Sequence, residues 1–246
     1  MWAARATLDP RAACKDGTVL TLAVAQHLLE GEPLAEVLRV AFKQYPYAGY
    51  GWHFMQWASA PTGSGPYGSL GNGAALRVSP VAWTRDTLDG VLADAARTAA
   101  VTHDHAEGVR GAVALAAAIF LGRTQPRDRP LLERQATIRE MVGVLSGYDL
   151  EVPRAQVRAT WACDFTAAGS VPPALIAALT ASSWEEAIAL ALGFSAGCTR
   201  LTCLAGAVAE GLFGVPEPLW RQALTRLDAR QAALVQRFEA NARVSS

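Results

Sequence analysis

The sequence predicts an all-α fold, and three observations support this prediction. Apolar residues recur at the 3.6-residue spacing of a helix in nine segments. These segments are rich in alanine, leucine and arginine, which are strong helix formers. Alternating β-branched or aromatic runs bounded by hairpin turns cannot be found. We therefore expect one compact domain of roughly ten helices over residues 1–246, in which residues 1–14 are an atypical N-terminal segment.

The expected helices follow one another along the chain with short breaks. Each is defined by an apolar stripe at helical spacing, which is the face that would pack on the core. In order, the predicted helices are Thr18 to Leu29, Leu34 to Gln44, Thr87 to Val101, Ala106 to Arg123, Leu131 to Ser146, Pro172 to Thr180, Trp184 to Leu192, Leu201 to Phe213 and Glu217 to Asn241.

Composition excludes several classes of protein. Of the 246 residues, 51% are hydrophobic and 18% charged, and 22 Lys and Arg balance 22 Asp and Glu. A neutral chain of this kind is typical of a globular protein and not of one that coats nucleic acid. Asp9, Pro10 and Lys15 interrupt the N-terminal stretch, so it lacks the uninterrupted apolar region of a signal peptide. No later run is long and apolar enough for a membrane span. We expect neither a membrane nor a nucleic-acid partner.

Cysteine usage points to a reducing, cytoplasmic location. The four cysteines contain no CxxC pair, and their wide spacing fits neither a disulfide framework nor a zinc ribbon. They are Cys14, Cys163, Cys198 and Cys203.

The longest break between predicted helices, Tyr45 to Pro80, has the composition of a binding loop. It combines glycine and proline with many aromatic residues, which a flexible spacer would not carry. Within it, Gly71-Asn72-Gly73 would let backbone N–H groups approach a phosphate, and Arg77 would add charge. Three aromatic residues could form an apolar wall for a base: Tyr50, Trp52 and Phe54. The alternative is that Gly-Asn-Gly is a simple turn and that the aromatic residues belong to the core.

Several motifs, taken in their order along the chain, resemble the ADP-ribosylglycohydrolase family. They are PYGSLGNGAALRVSPVAW from Pro66, THDHAEGVRGA from Thr102, GYDL from Gly147, GSVPPAL from Gly169 and SWEEAIALAL from Ser183. The resemblance covers nearly the whole chain from Thr18 onward. It implies an all-α fold whose cleft holds ADP-ribose beside two magnesium ions and cleaves a ribosyl glycosidic bond.

The resemblance also implies which side chains contact the ligand. His103 and His105 would be ligand contacts with no metal role, although a His-Asp-His sequence alone could suggest a metal pair. Asp149, like Asp164, matches a position near the ribose, but either could equally cap a turn or a helix. Cys198 could be a nucleophile, or a small side chain that fills the space of a family serine. The further candidate contacts in these motifs are Glu107, Tyr148, Gly169 and Ser170.

The metal positions depart from the family pattern. The family's TDDT corresponds here to Lys15, Asp16, Gly17 and Thr18. Its GGDSDT corresponds to residues 195–200, where Gly197 and Thr199 replace the two aspartates and Arg200 replaces the final threonine. The family's opening GDxxGxxxE segment has no counterpart in residues 1–14. Because magnesium needs several hard oxygen ligands, one remaining aspartate cannot hold two ions. We expect no metal and no cofactor.

Cations stand where the family places metal ligands. We interpret this as a charge-compensated site, in which Lys15 and Arg200 take over volume and positive charge from the two ions and Asp16 balances them. Lys15 is one of only two lysines in the chain. The alternative is drift, in which Arg200 simply reaches solvent.

These residues predict a protein that binds an ADP-ribose or NAD-like nucleotide in a magnesium-free cleft. If it is an enzyme, Asp16 would be the base or stabilise an oxocarbenium ion, while Lys15 and Arg200 hold diol or phosphate oxygens. The reaction would be a metal-independent hydrolysis or lyase cleavage of an N-glycosidic or phosphoribosyl bond. The alternatives are a pseudoenzyme that senses ADP-ribose or binds an ADP-ribosylated protein, and an interaction scaffold with a relic cleft.

Overall fold

The computed structural model describes residues 12–162, 164–195 and 198–244, and these form fourteen helices. The all-α prediction is confirmed. Within the described ranges, no helix combines the length and the apolar character needed to cross a bilayer. The helices are α1 (Asp16–Glu30), α2 (Leu34–Gln44), α3 (Trp52–Ser59), α4 (Gly73–Leu76), α5 (Ser79–Trp83), α6 (Leu88–Ala100), α7 (Ala106–Thr124), α8 (Leu131–Ser146), α9 (Arg154–Thr160), α10 (Ala167–Leu179), α11 (Trp184–Ser195), α12 (Thr199–Phe213), α13 (Glu217–Leu224) and α14 (Ala229–Val244).

The central element of the fold is α7. Twelve of its nineteen residues are buried, because residues 111–122 are all apolar and need neighbours on every face. It packs against α4, α5, α6, α8, α10 and α12. Small side chains let these backbones approach closely: a Cβ built on Gly211 of α12 would lie 2.7 Å from the carbonyl oxygen of Ile119.

A short antiparallel pairing joins the Gly-Asn-Gly loop to the loop before α10. Gly71 forms an isolated bridge with Thr166. The Asn72 N–H donates to the Phe165 carbonyl at 2.9 Å, and the Ala167 N–H donates to the Leu70 carbonyl at the same distance. The Gly-Asn-Gly loop and the loop before α10 are therefore fixed against each other.

The long loop expected at Tyr45 to Pro80 contains α3, α4 and the start of α5, which extends to Trp83. They are eight, four and five residues long, which is too short for a periodic apolar stripe to predict. The seven-residue α9 is too short to predict for the same reason.

The prediction of a single helix at Glu217 to Asn241 is wrong, because this segment forms two helices, α13 and α14. At the break, Asp228 and Gln231 cap the new helix start through two reciprocal bonds of 3.1 and 2.9 Å.

The helix expected to begin at Pro172 begins five residues earlier, and two prolines lie inside α10. Proline has no N–H, so Pro173 cannot donate to the Gly169 carbonyl one turn before it. The indole Nε1–H of Trp161 donates to that carbonyl instead, at 2.7 Å. A side chain from outside the helix thus compensates for one missing backbone bond.

Replacing Gly211 tests the close contact of α7 with α12. We expect Gly211→Ala to lower the free energy of unfolding by about 1–3 kcal/mol, because the new methyl group meets backbone that cannot move cheaply. Gly193→Ala in α11 is the matched control, since nothing lies within 4 Å of the added Cβ. It should leave stability unchanged or raise it by up to about 1 kcal/mol. Urea denaturation measures both, and equal effects of the two changes would contradict the packing account.

Candidate functional site

Two adjoining cavities form a cleft near the N-termini of α1, α4 and α12. The inner cavity has a volume of about 240 Å³ and the outer one about 570 Å³. They share five lining residues: His53, Tyr67, Ser69, Gly71 and Phe165. Polar groups concentrate in the inner part, which includes Asp16, Asn72, Arg77 and Arg200.

Asp16 and Arg200 form an ion pair at the wall of the inner cavity. Asp16 is the first residue of α1, where the helix dipole favours a carboxylate, and its N–H donates to the Ala48 carbonyl at 2.8 Å. Arg200 lies in the first turn of α12, and its Nη2 is 3.5 Å from Asp16 Oδ2. Its guanidinium carbon lies 5.3 Å from the centre of the Phe165 ring.

The strength of this ion pair is modest. The Arg200 and Asp16 side chains keep 32% and 20% of their surface exposed, and ion pairs of this kind contribute about 0.2–1 kcal/mol. The pair therefore matters more for where it places a guanidinium than for the stability of the fold.

Arg77 brings a second, buried cation to the inner cavity. Its side chain is only 2% exposed, and its Nη2 donates to the Thr102 hydroxyl at 2.8 Å and to the Thr98 carbonyl at 3.2 Å. Among the described residues, no carboxylate pairs with it. Burial lowers the pKa of Arg77 to about 10, so it stays charged at neutral pH. Arg39 is also buried and donates to carbonyls, but it does not line the cleft.

His103 lies beside Arg77 and is neutral. Its Nδ1 hydrogen-bonds with the Thr102 hydroxyl at 2.7 Å. Burial, followed by the charge of Arg77, lowers the pKa of His103 to about 3. Its Nε2 lies against the two glycines of the Gly-Asn-Gly loop, 3.1 Å from a Cβ built on Gly73 and 3.8 Å from one built on Gly71. The glycines leave room for this imidazole.

The Gly-Asn-Gly loop differs in detail from the expected phosphate cradle. The Gly71 N–H donates to the Ser69 hydroxyl at 3.2 Å, and the Asn72 N–H to the Phe165 carbonyl. Neither is free for a phosphate. The Asn72 side chain donates to Ser170 Oγ at 2.8 Å, and that hydroxyl donates to the Asp164 carbonyl at 2.5 Å.

Gly169 and Ser170 therefore belong to the scaffold behind the loop. A Cβ on Gly169 would collide with the Asp164 carboxyl group, so this glycine is required where that side chain packs. Neither residue lines the two cavities described above.

Tyr50 lines the inner cavity, but most of its side chain is buried. The ring stacks on Phe54 at 5.3 Å between ring centres and meets the edge of Phe42 at 5.2 Å, so it belongs to the core. The hydroxyl is buried and has no hydrogen-bonding partner in the structure. Burial, and then the charge of Asp16, raises the pKa of Tyr50 to about 12. The exposed aromatic surface comes from Trp52 and Phe165, which are 66% and 58% exposed.

Three of the residues that the sequence assigned to the site do not line the cleft and have other local roles. Lys15 is exposed and stands at the start of α1, outside the described ion pairs. His105 caps α7, since its Nδ1 accepts from the Glu107 N–H at 3.1 Å. Asp149 closes a turn by accepting from the Glu151 N–H at 3.0 Å.

Three further predicted ligand contacts also lie outside the two cavities: Glu107, Tyr148 and Cys198. Glu107 pairs with Arg110 at 2.6 Å. Burial and the charge of Glu107 raise the pKa of Tyr148 to about 12. The Tyr148 hydroxyl and one Glu107 oxygen are buried without partners. Cys198 is half-buried at the start of α12.

The structure adds lining residues that sequence analysis did not select: Leu20, His53, Tyr67, Ser69 and Phe165. His53 and Tyr67 stack at 6.3 Å between ring centres, and Tyr67 lies 6.0 Å from His103. The aromatic bias of the Tyr45 to Pro80 segment was the available signal for His53 and Tyr67. For Phe165 the signal was its position beside the GSVPPAL motif.

The side chains around Asp16 do not fit the two magnesium ions that the family resemblance implies. Over the described ranges, no group of three histidine, cysteine, aspartate or glutamate residues is placed to hold a metal ion. Gly197, which matches a family aspartate, lies outside those ranges, but glycine has no side-chain ligand to offer. A guanidinium 3.5 Å from the single carboxylate would also repel a divalent cation. We derive no chemistry through magnesium.

Comparisons with known proteins agree with this fold. One solved structure, an "ADP-ribosylglycohydrolase-related protein complex", is similar with a TM-score of 0.65 and 21% sequence identity, over 93% of this chain and 81% of that chain. At this identity the likeness shows the fold alone. No curated protein matches the chain. A family model described as ADP-ribosylglycohydrolase matches residues 3–244. The chain therefore belongs to the ADP-ribosylglycohydrolase family.

Proposed function

We propose that the cleft binds an ADP-ribose or NAD-like nucleotide without a divalent metal ion. The observation that carries this proposal is the charge of the inner cavity. Two guanidinium groups, Arg77 and Arg200, line it against one carboxylate, Asp16. Asp16 is paired with Arg200, which leaves a buried positive charge that only an anionic ligand would balance.

The shape of the cleft suits the two ends of such a nucleotide. The phosphates and a ribose would occupy the inner cavity, where guanidinium groups bind phosphate oxygens strongly. The base would lie in the outer cavity against Phe165, Tyr67 and His53. The unpartnered Tyr50 hydroxyl would donate to a ribose or phosphate oxygen, since its raised pKa keeps it protonated.

A second candidate function is cleavage of an N-glycosidic bond in the bound ligand. Asp16 supports it, because a carboxylate beside the ribose would stabilise the positive charge that develops on the sugar. Most glycosidases use two carboxyl groups. Asp16 is the single carboxylate of the inner cavity, and Asp164, which lines the outer cavity, already accepts from the Thr166 N–H at 2.7 Å. That count favours a protein that binds without rapid turnover, such as a sensor of ADP-ribose or a binder of ADP-ribosylated protein. Incubation followed by chromatography of the nucleotides separates the two functions.

Calorimetric titration of ADP-ribose, NAD and AMP tests the proposal. We expect saturable binding that is equally tight in chelator and in millimolar magnesium. Arg200→Ala should weaken it by about 1.5–3 kcal/mol, or roughly 10- to 150-fold, because a charge-assisted hydrogen bond is lost and Asp16 is left unpaired.

Arg221→Ala is the matched control. Arg221 is exposed on α13, pairs with Glu217 at 2.7 Å and lies outside the cleft, so affinity should stay within about twofold. Binding that requires magnesium, or an Arg200→Ala protein that binds normally, would overturn the proposal.

Tyr50→Phe distinguishes a ligand contact from a structural hydroxyl. Since the hydroxyl is buried without a partner, removing it should leave stability unchanged or raise it by up to about 1 kcal/mol. The affinity for ADP-ribose should fall about 2- to 10-fold, because one hydrogen bond to the ligand is lost. Thermal unfolding and calorimetry measure the two effects.

Tyr47→Phe makes the same change on a side chain that is 96% exposed and should alter neither quantity. A Tyr50→Phe protein that is clearly less stable but binds normally would show that the hydroxyl serves the fold.

A further inference from the structure

A further cavity of about 380 Å³, distinct from the inner and outer cavities of the cleft, lies on the other side of α1. It is bounded by α1, α5, α12, α13 and α14 and shares no lining residue with the cleft. Leu20 of α1 lines the cleft, whereas Leu22 and Ala25 line this further cavity. It is therefore a site separate from the cleft.

The lining of this cavity combines aromatic rings with two carboxyl groups. The rings come from Trp83, Trp220 and Phe238, with aliphatic side chains between them. The charged lining residues are Glu210 of α12 and Glu239 of α14, and among the residues that the structure describes no lysine or arginine lines the cavity.

The two glutamates lack a counter-charge within the part of the chain that the structure describes. Neither side chain takes part in an ion pair or hydrogen bond there, although nearby arginines are engaged elsewhere. Arg237 pairs with Glu30 at 3.0 Å and Arg221 with Glu217 at 2.7 Å. Burial, and then the charge of Glu239, raises the pKa of Glu210 to about 7. Like charges are thus held near each other in an apolar setting, which a bound cation would relieve.

We propose that this cavity binds an organic ammonium ion with an apolar body. The ammonium group would lie between Glu210 and Glu239, and the apolar body would pack on Trp83, Trp220 and Phe238. Indole and phenyl faces attract cations as well as apolar groups. The two carboxyl groups disfavour an anion, and a bare metal ion has no apolar body to cover the rings.

The test uses 2-phenylethylamine, which is charged at neutral pH, and 2-phenylethanol, its neutral analogue. Tryptophan fluorescence and calorimetry at pH 8 should show saturable binding of the amine, at least about tenfold tighter than that of the alcohol. Equal affinity for both compounds would make the cavity a neutral apolar site and overturn the proposal. Failure of the amine to bind would overturn it as well.

Substitutions of residues inside and outside the cavity test where the amine binds. Glu210→Gln and Glu239→Gln should each weaken amine binding by about fivefold or more and leave alcohol binding unchanged, because only the charge is removed. Glu239→Gln, on the more accessible α14, serves if Glu210→Gln folds poorly. Glu217→Gln, outside the cavity, is the matched control and should change nothing. Asp16→Asn should also leave amine affinity unchanged; a loss there would place the amine in the nucleotide cleft and contradict the assignment.

Discussion

The burial of α7 on all of its faces is the constraint on which the rest of the structure depends. Its alanines and glycines let α10 and α12 approach closely: a Cβ on Gly111 would lie 2.7 Å from Ala167 Cβ. The contact at Gly111 fixes the start of α10 next to Phe165, and the close packing of Gly211 on Ile119 holds α12, whose first turn carries Arg200. The loop that precedes α7 carries His103 and Thr102. A core of small side chains therefore sets the positions of cleft residues that belong to three different segments.

The cleft combines this rigid frame with an unusual balance of charge. In the pattern of the family, several carboxylates face metal ions, whereas here one carboxylate faces two guanidinium groups. Arg200 neutralises Asp16 locally, and Arg77 remains as a buried cation held by neutral oxygens. His103 stays neutral beside it. The result is a positive cavity made by the protein alone, which is the physical basis of the proposed binding of an anionic nucleotide.

Sequence patterns predicted the long helices well and the short ones poorly. The bounds of α2 and α8 match their predictions, since eleven and sixteen residues give the apolar pattern several turns. The helices α3, α4 and α5 have too few turns for that pattern. The break before α14 depends on the capping pair of Asp228 and Gln231, which interrupts an otherwise continuous helical pattern.

Sequence motifs selected some residues that line the inner cavity and some that do not. Motif positions selected Asp16, Asn72, Arg77, His103 and Arg200, which line one cavity. The last four stand on or beside α4, α7 and α12, whereas Asp16 stands on α1, which packs against α4 and α5. His105 and Asp149 hydrogen-bond to their own nearby backbone, and such local bonds compete with a role in the cleft. Lys15 lies just before the first turn of α1, where spacing does not determine the direction of a side chain.

The most direct test of a metal-free, guanidinium-based cleft is crystallography with manganese, whose anomalous scattering locates the ion. Crystals would be soaked in manganese chloride, and an anomalous map would be calculated around Asp16 and Arg200. The account predicts no manganese within about 2.5 Å of the Asp16 carboxylate, with the Arg200 guanidinium still paired to it. One or two ions bound to Asp16, with Arg200 displaced, would contradict it.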